Sequence, residues 1–163
     1  MIKAILFDID GVIVKNSEYF SERFAREYKA SAESVRSFFN EIFPLCQLSK
    51  ADLKEELEKY LPQWNWHKGA ESFLELWFRT GHDLNQEVLE KMKEYRKNFQ
   101  CYLASHQEKY RAEYLLNTLG LKDYVDGFFF SYTLEIKKGT QEFYQKILEK
   151  LELMPEEVAY FDD

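Results

Sequence analysis

Two aspartates one residue apart, Asp8 and Asp10, follow the apolar run in "AILFDIDG", and Gly11 comes directly after them. Carboxylates that close repel, and each raises the other's pKa unless a cation or strong donors compensate. Three further places put reactive side chains at or near the ends of apolar segments. Ser105 closes "CYLAS", Lys137 and Lys138 precede "GTQEFY", and Asp162 and Asp163 close "EVAYFDD". Each type has a task in phosphoryl transfer. A carboxylate such as Asp8 can attack phosphorus and form an acyl-phosphate. Asp10 can protonate the leaving oxygen and then activate water. Ser105 can donate to phosphoryl oxygens, and a lysine can neutralise them as a compact point charge. Clustered acids require a cation, and a hard oxygen site with few ligands suits Mg²⁺, which also bridges a phosphate oxygen. Gly11 permits the tight turn off the strand.

These groups meet only if the elements carrying them end on the same edge of one sheet. Residues 2–7 read as a short strand, apolar on both faces as in central strands of parallel sheets. From Ser17 to Thr80 the periodicity is helical. "SEYFSERFAREY" places Phe20, Phe24 and Tyr28 on one stripe, and "SAESVRSFFNEIF" opens with a Ser-x-x-Ser. Pro44 then interrupts, "SKADLKEELEKYL" starts at an expected cap, Ser49, and "GAESFLELWF" gives a fourth helix. Gly81 marks a boundary. Beyond it, "LNQEVLEKMKEYRKN" is an amphipathic helix and "QCYLAS" a strand. A helix follows from Gln107 to Leu119, stopped by Gly120. "GFFFSY" reads as a strand, "GTQEFYQKILEKL" as a helix and "EVAYFDD" as a last strand. The order predicts an α/β fold with a parallel, Rossmann-like sheet interrupted after its first strand by a four-helix insertion. In such sheets ligands bind beyond the carboxyl ends of the strands, where the candidate groups lie. The expected division is a discontinuous α/β core of residues 1–15 and 82–163, with a helical cap of residues 16–81.

"DIDGV", "CYLAS", "KKGTQEFY" and "EVAYFDD" resemble motifs one to four of the haloacid dehalogenase-like (HAD) superfamily, mostly Mg²⁺-dependent phosphatases. The resemblance covers the whole chain, with the helical block where that family carries its small cap. It implies Asp8 as nucleophile, Asp10 as general acid and base, and Ser105 and Lys138 as phosphate binders. It also implies Mg²⁺ held by Asp8, the backbone carbonyl of Asp10, and Asp163, with Asp162 supporting. The family's dehalogenases lack the second acid, so Asp10 favours phosphate esters as substrates.

Three features depart from the usual pattern. Gly139 follows the lysine where proline is usual, with Lys137 beside Lys138 as a second candidate for the phosphate. His106 follows the motif-two hydroxyl where asparagine is common. Family members normally continue past motif four to a further strand, so the strand before Asp162 is expected at a sheet edge. The expected activity is hydrolysis of a small soluble phosphate ester. The alternative is a non-catalytic binding or regulatory module, or an inactive fragment, with a phosphomutase as a sub-case.

Composition narrows the field. A net charge of -7 over 163 residues disfavours nucleic acid as the main partner. No apolar run is long enough to span a bilayer, and no secretory signal precedes the first acids. Cys46 and Cys101 fit neither a disulfide framework nor zinc spacing and read as reduced thiols of a cytoplasmic protein. His67, His82 and His106 are scattered; His106 stands either at the phosphate or at a helix entry. Phe73 and Trp77 belong inside the helical block. Trp64 and Trp66, in "PQWNWHKG", are core by preference and pocket wall by alternative.

Overall fold

The computed structural model describes residues 1–15, 18–80 and 83–163. Ser17, Gly81 and His82, and with them the expected ends of the helical block, lie outside the described residues. The main sheet consists of β1 (Ala4–Phe7), β4 (Gln100–Ser105), β5 (Gly127–Phe130) and β6 (Val158–Phe161). All its pairings are parallel, in the order β5-β4-β1-β6. β1 is buried along its whole length because both of its faces are covered. Ile5 and Phe7 pack with Leu89 and Met92 of α6 (Gln86–Tyr95) and Ala112 of α7 (Lys109–Glu113). Leu6 packs on the other face, with Phe143 and Ile147 of α9 (Gln141–Leu151). The expected strand therefore forms as a central one, and β6 stands at the sheet edge.

Register aligns the carboxyl ends. Phe7 pairs with Leu103 on one side and Phe161 on the other. The Asp8 amide then donates to the Phe161 carbonyl at 2.9 Å. Asp8, Ser105 and Asp162 thus leave the sheet along a common edge. The chain turns sharply after Asp8, with Ile9 accepting from the amides of Ile13 and Val14. It then forms a two-stranded ribbon absent from the sequence reading, β2 (Val14–Lys15) antiparallel to β3 (Asp83–Leu84). Two-residue strands are too short to show the alternation by which strands are recognised.

The helices between β2 and β3 enclose an apolar cluster of their own, drawn from Phe24 to Phe78. They are α1 (Phe20–Glu27), α2 (Ala32–Ser37), α3 (Phe43–Cys46), α4 (Leu53–Tyr60) and α5 (Gly69–Arg79). Phe73 lies at its centre among Phe20, Phe24, Trp64 and Trp66. Trp64 and Trp66 are core: both are buried, and their indole N–H groups donate to the Ser34 hydroxyl and the Gly69 carbonyl.

Three local expectations are corrected. Pro44 does not break the chain, because a wide turn over Phe38–Ile42 precedes it and the helix resumes as α3; the widened turn accommodates the missing N–H and the ring. α4 is capped by Asp52, whose carboxylate accepts from the amides of Lys54 and Glu55. Ser49 instead has φ +56 and donates its hydroxyl to the Tyr132 carbonyl across to the sheet half. The strand "GFFFSY" ends at Phe130, since Ser131 begins α8 (Ser131–Leu134) and donates to the Gln107 carbonyl at 2.9 Å.

The inserted helices meet the sheet half along a polar seam. Gln47 donates to the His106 carbonyl at 3.0 Å, and the Tyr110 hydroxyl donates to Asp52 at 2.7 Å. Lys54 lies over the Tyr110 ring. Behind this seam, α7 starts at Lys109, and the expected helix continues as a wider turn to Thr118. Its cap is Glu108, 1% exposed, which accepts from the amides of Tyr110 and Arg111. Burial pushes the Glu108 carboxyl up from 4.5 to about 7, against the pull of those donors. The folded protein therefore holds this proton over a window where the unfolded chain releases it. The Glu108 contribution to stability falls as pH rises from 4.5 to about 7 and is level above that. Glu108→Gln removes the charge and keeps one of the two acceptor oxygens. Relative to the parent, the variant is expected to be more stable near pH 8 than near pH 4 by on the order of 2 kcal/mol, measured by urea unfolding at both.

Candidate active site

Four segments converge beyond the carboxyl ends of β1, β4 and β6. Asp8 is 4% exposed, and its Oδ2 lies 2.6 Å from Nζ of Lys138. The same ammonium reaches Oδ1 of Asp162 at 2.8 Å. Lys137 is exposed, so Lys138 is the lysine that faces Asp8. Gly139 has φ +87, which the proline usual at this position cannot adopt; the turn here is closed by Thr140, which donates its hydroxyl to the Lys137 carbonyl and caps α9. Burial alone would lower Lys138, but its bonds to Asp162 and Asp8 outweigh this and hold it protonated. Burial pushes the Asp8 carboxyl up, with Lys138 pulling the other way. Burial would also raise Asp162, but the Lys138 ammonium brings that carboxyl below its ordinary value.

Carboxylate oxygens of Asp8, Asp162 and Asp163 lie within 4.8 Å of one another. Oδ1 of Asp8 is buried and has no hydrogen-bond partner among the described residues. A desolvated carboxylate oxygen without a donor is costly, and a divalent cation would satisfy it. The oxygen-only donor set fits Mg²⁺. Gly11 makes the third acid's position possible. Its φ is +88, and a Cβ there would fall 2.6 Å from Cγ of Asp163.

Asp10 is held by a different set of donors. Its Oδ2 accepts from Nε2 of Gln107 at 2.7 Å and its Oδ1 from Nη2 of Arg111 at 2.5 Å. Ser105 is 1% exposed, and its hydroxyl oxygen accepts from the same Gln107 amide at 3.0 Å. His106 stands at the helix entry through its carbonyl. Its imidazole is driven down to about 4 by burial, then by Lys137 and Lys138, and is neutral.

Two clefts open here. One, of about 590 Å³, is lined by Asp8, Asp10, Gly11, Glu18, Tyr19 and Asp163 among others. The second, of about 310 Å³, continues from Asp10 under the inserted helices, between Gln107 and Arg111 on one side and Phe39, Phe43 and Trp77 on the other. Trp77, expected as core, is 9% exposed and serves both the cluster and this wall. Glu18, on the rim of both clefts, is gripped by both terminal nitrogens of Arg26.

Residues 2–163 match the family model for haloacid dehalogenase-like hydrolases. The chain belongs to that family. Solved structures agree on the fold. A HAD family enzyme from Bacteroides thetaiotaomicron superposes with a TM-score of 0.86 at 17% identity, over 99% of this chain and 84% of that one. The wild-type form of that enzyme in complex with magnesium and inorganic phosphate gives 0.83 at 19% identity, over 100% and 85%. A 2-haloacid dehalogenase from Pseudomonas syringae pv. Tomato gives 0.69 at 16% identity, over 98% and 77%. A search of curated protein sequences found no significant match. Among the described residues, no helix of this HAD-like hydrolase is long and apolar enough to cross a membrane.

The sequence reading named Asp8, Asp162 and Asp163, which the structure brings together, and did not single out Gln107, Arg111 or Glu18. The signal available for Gln107 and Arg111 was their spacing, four apart just after Ser105, which would put both on one face of a helix that began at Gln107; the helix begins at Lys109 and Gln107 precedes its cap. Nothing in that spacing tells a buried arginine from a solvated one. Gly11→Ala is expected to displace the Asp163 carboxylate. Mg²⁺ affinity measured by calorimetry should fall roughly 10- to 100-fold, with the circular dichroism spectrum retained.

Proposed function

We propose that this HAD-like hydrolase is a Mg²⁺-dependent phosphomonoester hydrolase, acting on a small soluble phosphometabolite through an aspartyl-phosphate at Asp8. The observation that carries the reading is the Asp8–Lys138 pair at 2.6 Å beside Asp162 and Asp163, with Asp10 held separately at the cleft. The neighbour from Bacteroides, crystallised with magnesium and inorganic phosphate, supports the choice of ligands.

Asp8 attacks phosphorus while the bond to the leaving oxygen breaks, and Asp10 gives that oxygen its proton. Water then attacks the phosphorus of the aspartyl-phosphate and passes a proton to Asp10, which restores both acids. Ser105 and Lys138 bind the phosphoryl oxygens. Asp8, Asp163 and the backbone carbonyl of Asp10 would hold Mg²⁺, with Asp162 supporting; when bound, the ion neutralises charge on the phosphoryl oxygens. Residues 16–81 form the cap in this reading. Their Phe39, Phe43 and Trp77 wall the smaller cleft and would meet the leaving group. Buried thiols at Cys46 and Cys101, whose burial pushes them up to about 12 and about 11, suit a cytoplasmic protein.

The test is phosphate release from p-nitrophenyl phosphate with and without Mg²⁺. Activity is expected to require the metal and to fall roughly 1,000-fold or more in Asp8→Asn. Ligand binding by folded protein without turnover of any ester would favour a binding module instead.

A further inference from the structure

We propose that Gln107 and Arg111 are positioning residues that fix the Asp10 carboxylate for proton transfer to the leaving oxygen. The inference rests on the proton-transfer role proposed for Asp10 and extends it to two residues outside the four sequence motifs. Both oxygens of Asp10 receive a donor from this pair, one from the amide and one from the guanidinium. Gln107 is 1% exposed and Arg111 7%, whereas the Asp10 side chain is 38% exposed and faces both clefts. The holders are locked in the interior and the held group is presented to the opening.

The pair orients itself. Arginine only donates, so the contact from its Nε to Gln107 at 3.1 Å requires the glutamine oxygen on that side. The Gln107 NH₂ group must then face the two acceptors opposite, Oδ2 of Asp10 and Oγ of Ser105. One amide thus spans the candidate proton-transfer group and the candidate phosphate donor and sets the distance between them.

The backbone is fixed as well. The Gln107 carbonyl accepts from Ser131, and the Arg111 amide donates to the buried cap Glu108. Asp10, by contrast, lies beyond the end of its strand, bridged to Val14 where the chain turns. Proton transfer needs heavy atoms within about 2.6–3.2 Å, and a misplacement of about 1 Å costs roughly 100-fold. A rotating Asp10 side chain would lose that geometry; a carboxylate gripped on both oxygens keeps it.

Leaving groups report on this role. An alkoxide must be protonated as it departs, whereas p-nitrophenolate leaves unaided. Gln107→Met and Arg111→Met are to be assayed with Mg²⁺ on ethyl phosphate and p-nitrophenyl phosphate, each in the parent and in Asp10→Asn. Gln107→Met leaves the Arg111–Asp10 ion pair in place, so the test survives if Arg111→Met does not fold.

The expected result is a fall of about 10-fold or more in the ethyl-to-nitrophenyl ratio of kcat. Little further loss on ethyl phosphate is expected once Asp10→Asn is present, the sign of residues acting through one group. Equal losses on both esters, losses that add to Asp10→Asn, or a raised KM at constant kcat would overturn the proposal in favour of a structural or substrate-binding role. A parent that releases phosphate from neither ester sinks the phosphatase reading, and the proposal with it.

Discussion

Repulsion among Asp8, Asp10, Asp162 and Asp163 is the constraint on which the rest of this structure depends. Each ends up near the others because parallel pairing brings the strand ends into register, with Asp8 buried, where water screens least, and Asp162 and Asp163 exposed beside it. Lys138 answers part of the problem by bonding Asp8 and Asp162 together. Its position is set by the loop before α9, whose helix packs Phe143 and Ile147 under the same sheet. Removing one partner of such a pair strands the other as an uncompensated charge, which is why buried ion pairs cost more to break than they contribute when intact. The orphaned Oδ1 of Asp8 shows that the lysine alone is not enough.

The inserted helices solve a different problem. Their aromatic cluster is centred among the inserted helices, with Phe24, Phe73 and Trp64 fully enclosed, and it meets the sheet half through Tyr110 and Tyr114. Besides that packing, the two share directional polar bonds: Gln47 to His106, Ser49 to Tyr132, and Tyr110 to Asp52. Apolar packing alone would allow sliding, whereas these bonds fix where Phe39, Phe43 and Trp77 stand relative to Asp10. The cleft wall is therefore held by directional bonds as well as by packing.

Long periodic segments were legible in the sequence, and so were the acids at strand ends. β1, β4, α6 and α9 form where the apolar pattern puts them, because each buries a face that the pattern already marks. What was not legible depends on contacts distant in sequence. Ser49 looks like a cap, but the backbone reaches Asp52 before turning helical, and Ser49 bonds Tyr132 instead. Ser131 looks like a strand residue until its hydroxyl meets the Gln107 carbonyl. The Lys137–Lys138 ambiguity has the same origin. Adjacent lysines are equivalent in composition, and only the turn through Gly139 and Thr140 aims one of them at Asp8.

Two carboxylates separated by a single residue could share one environment, and here they do not. Ile9 between them is fully buried and turns the chain, so that Asp8 meets a lysine and Asp10 an arginine and an amide. Lysine is a mobile point charge, able to stay with Asp8 and also face an incoming anion. The arginine–glutamine pair is a planar, rigid set of donors, better suited to fixing a group than to following one. Groups placed in unlike surroundings titrate and react differently even when chemically identical. The D-x-D spacing supplies two acids, and the cations behind them make the two unequal.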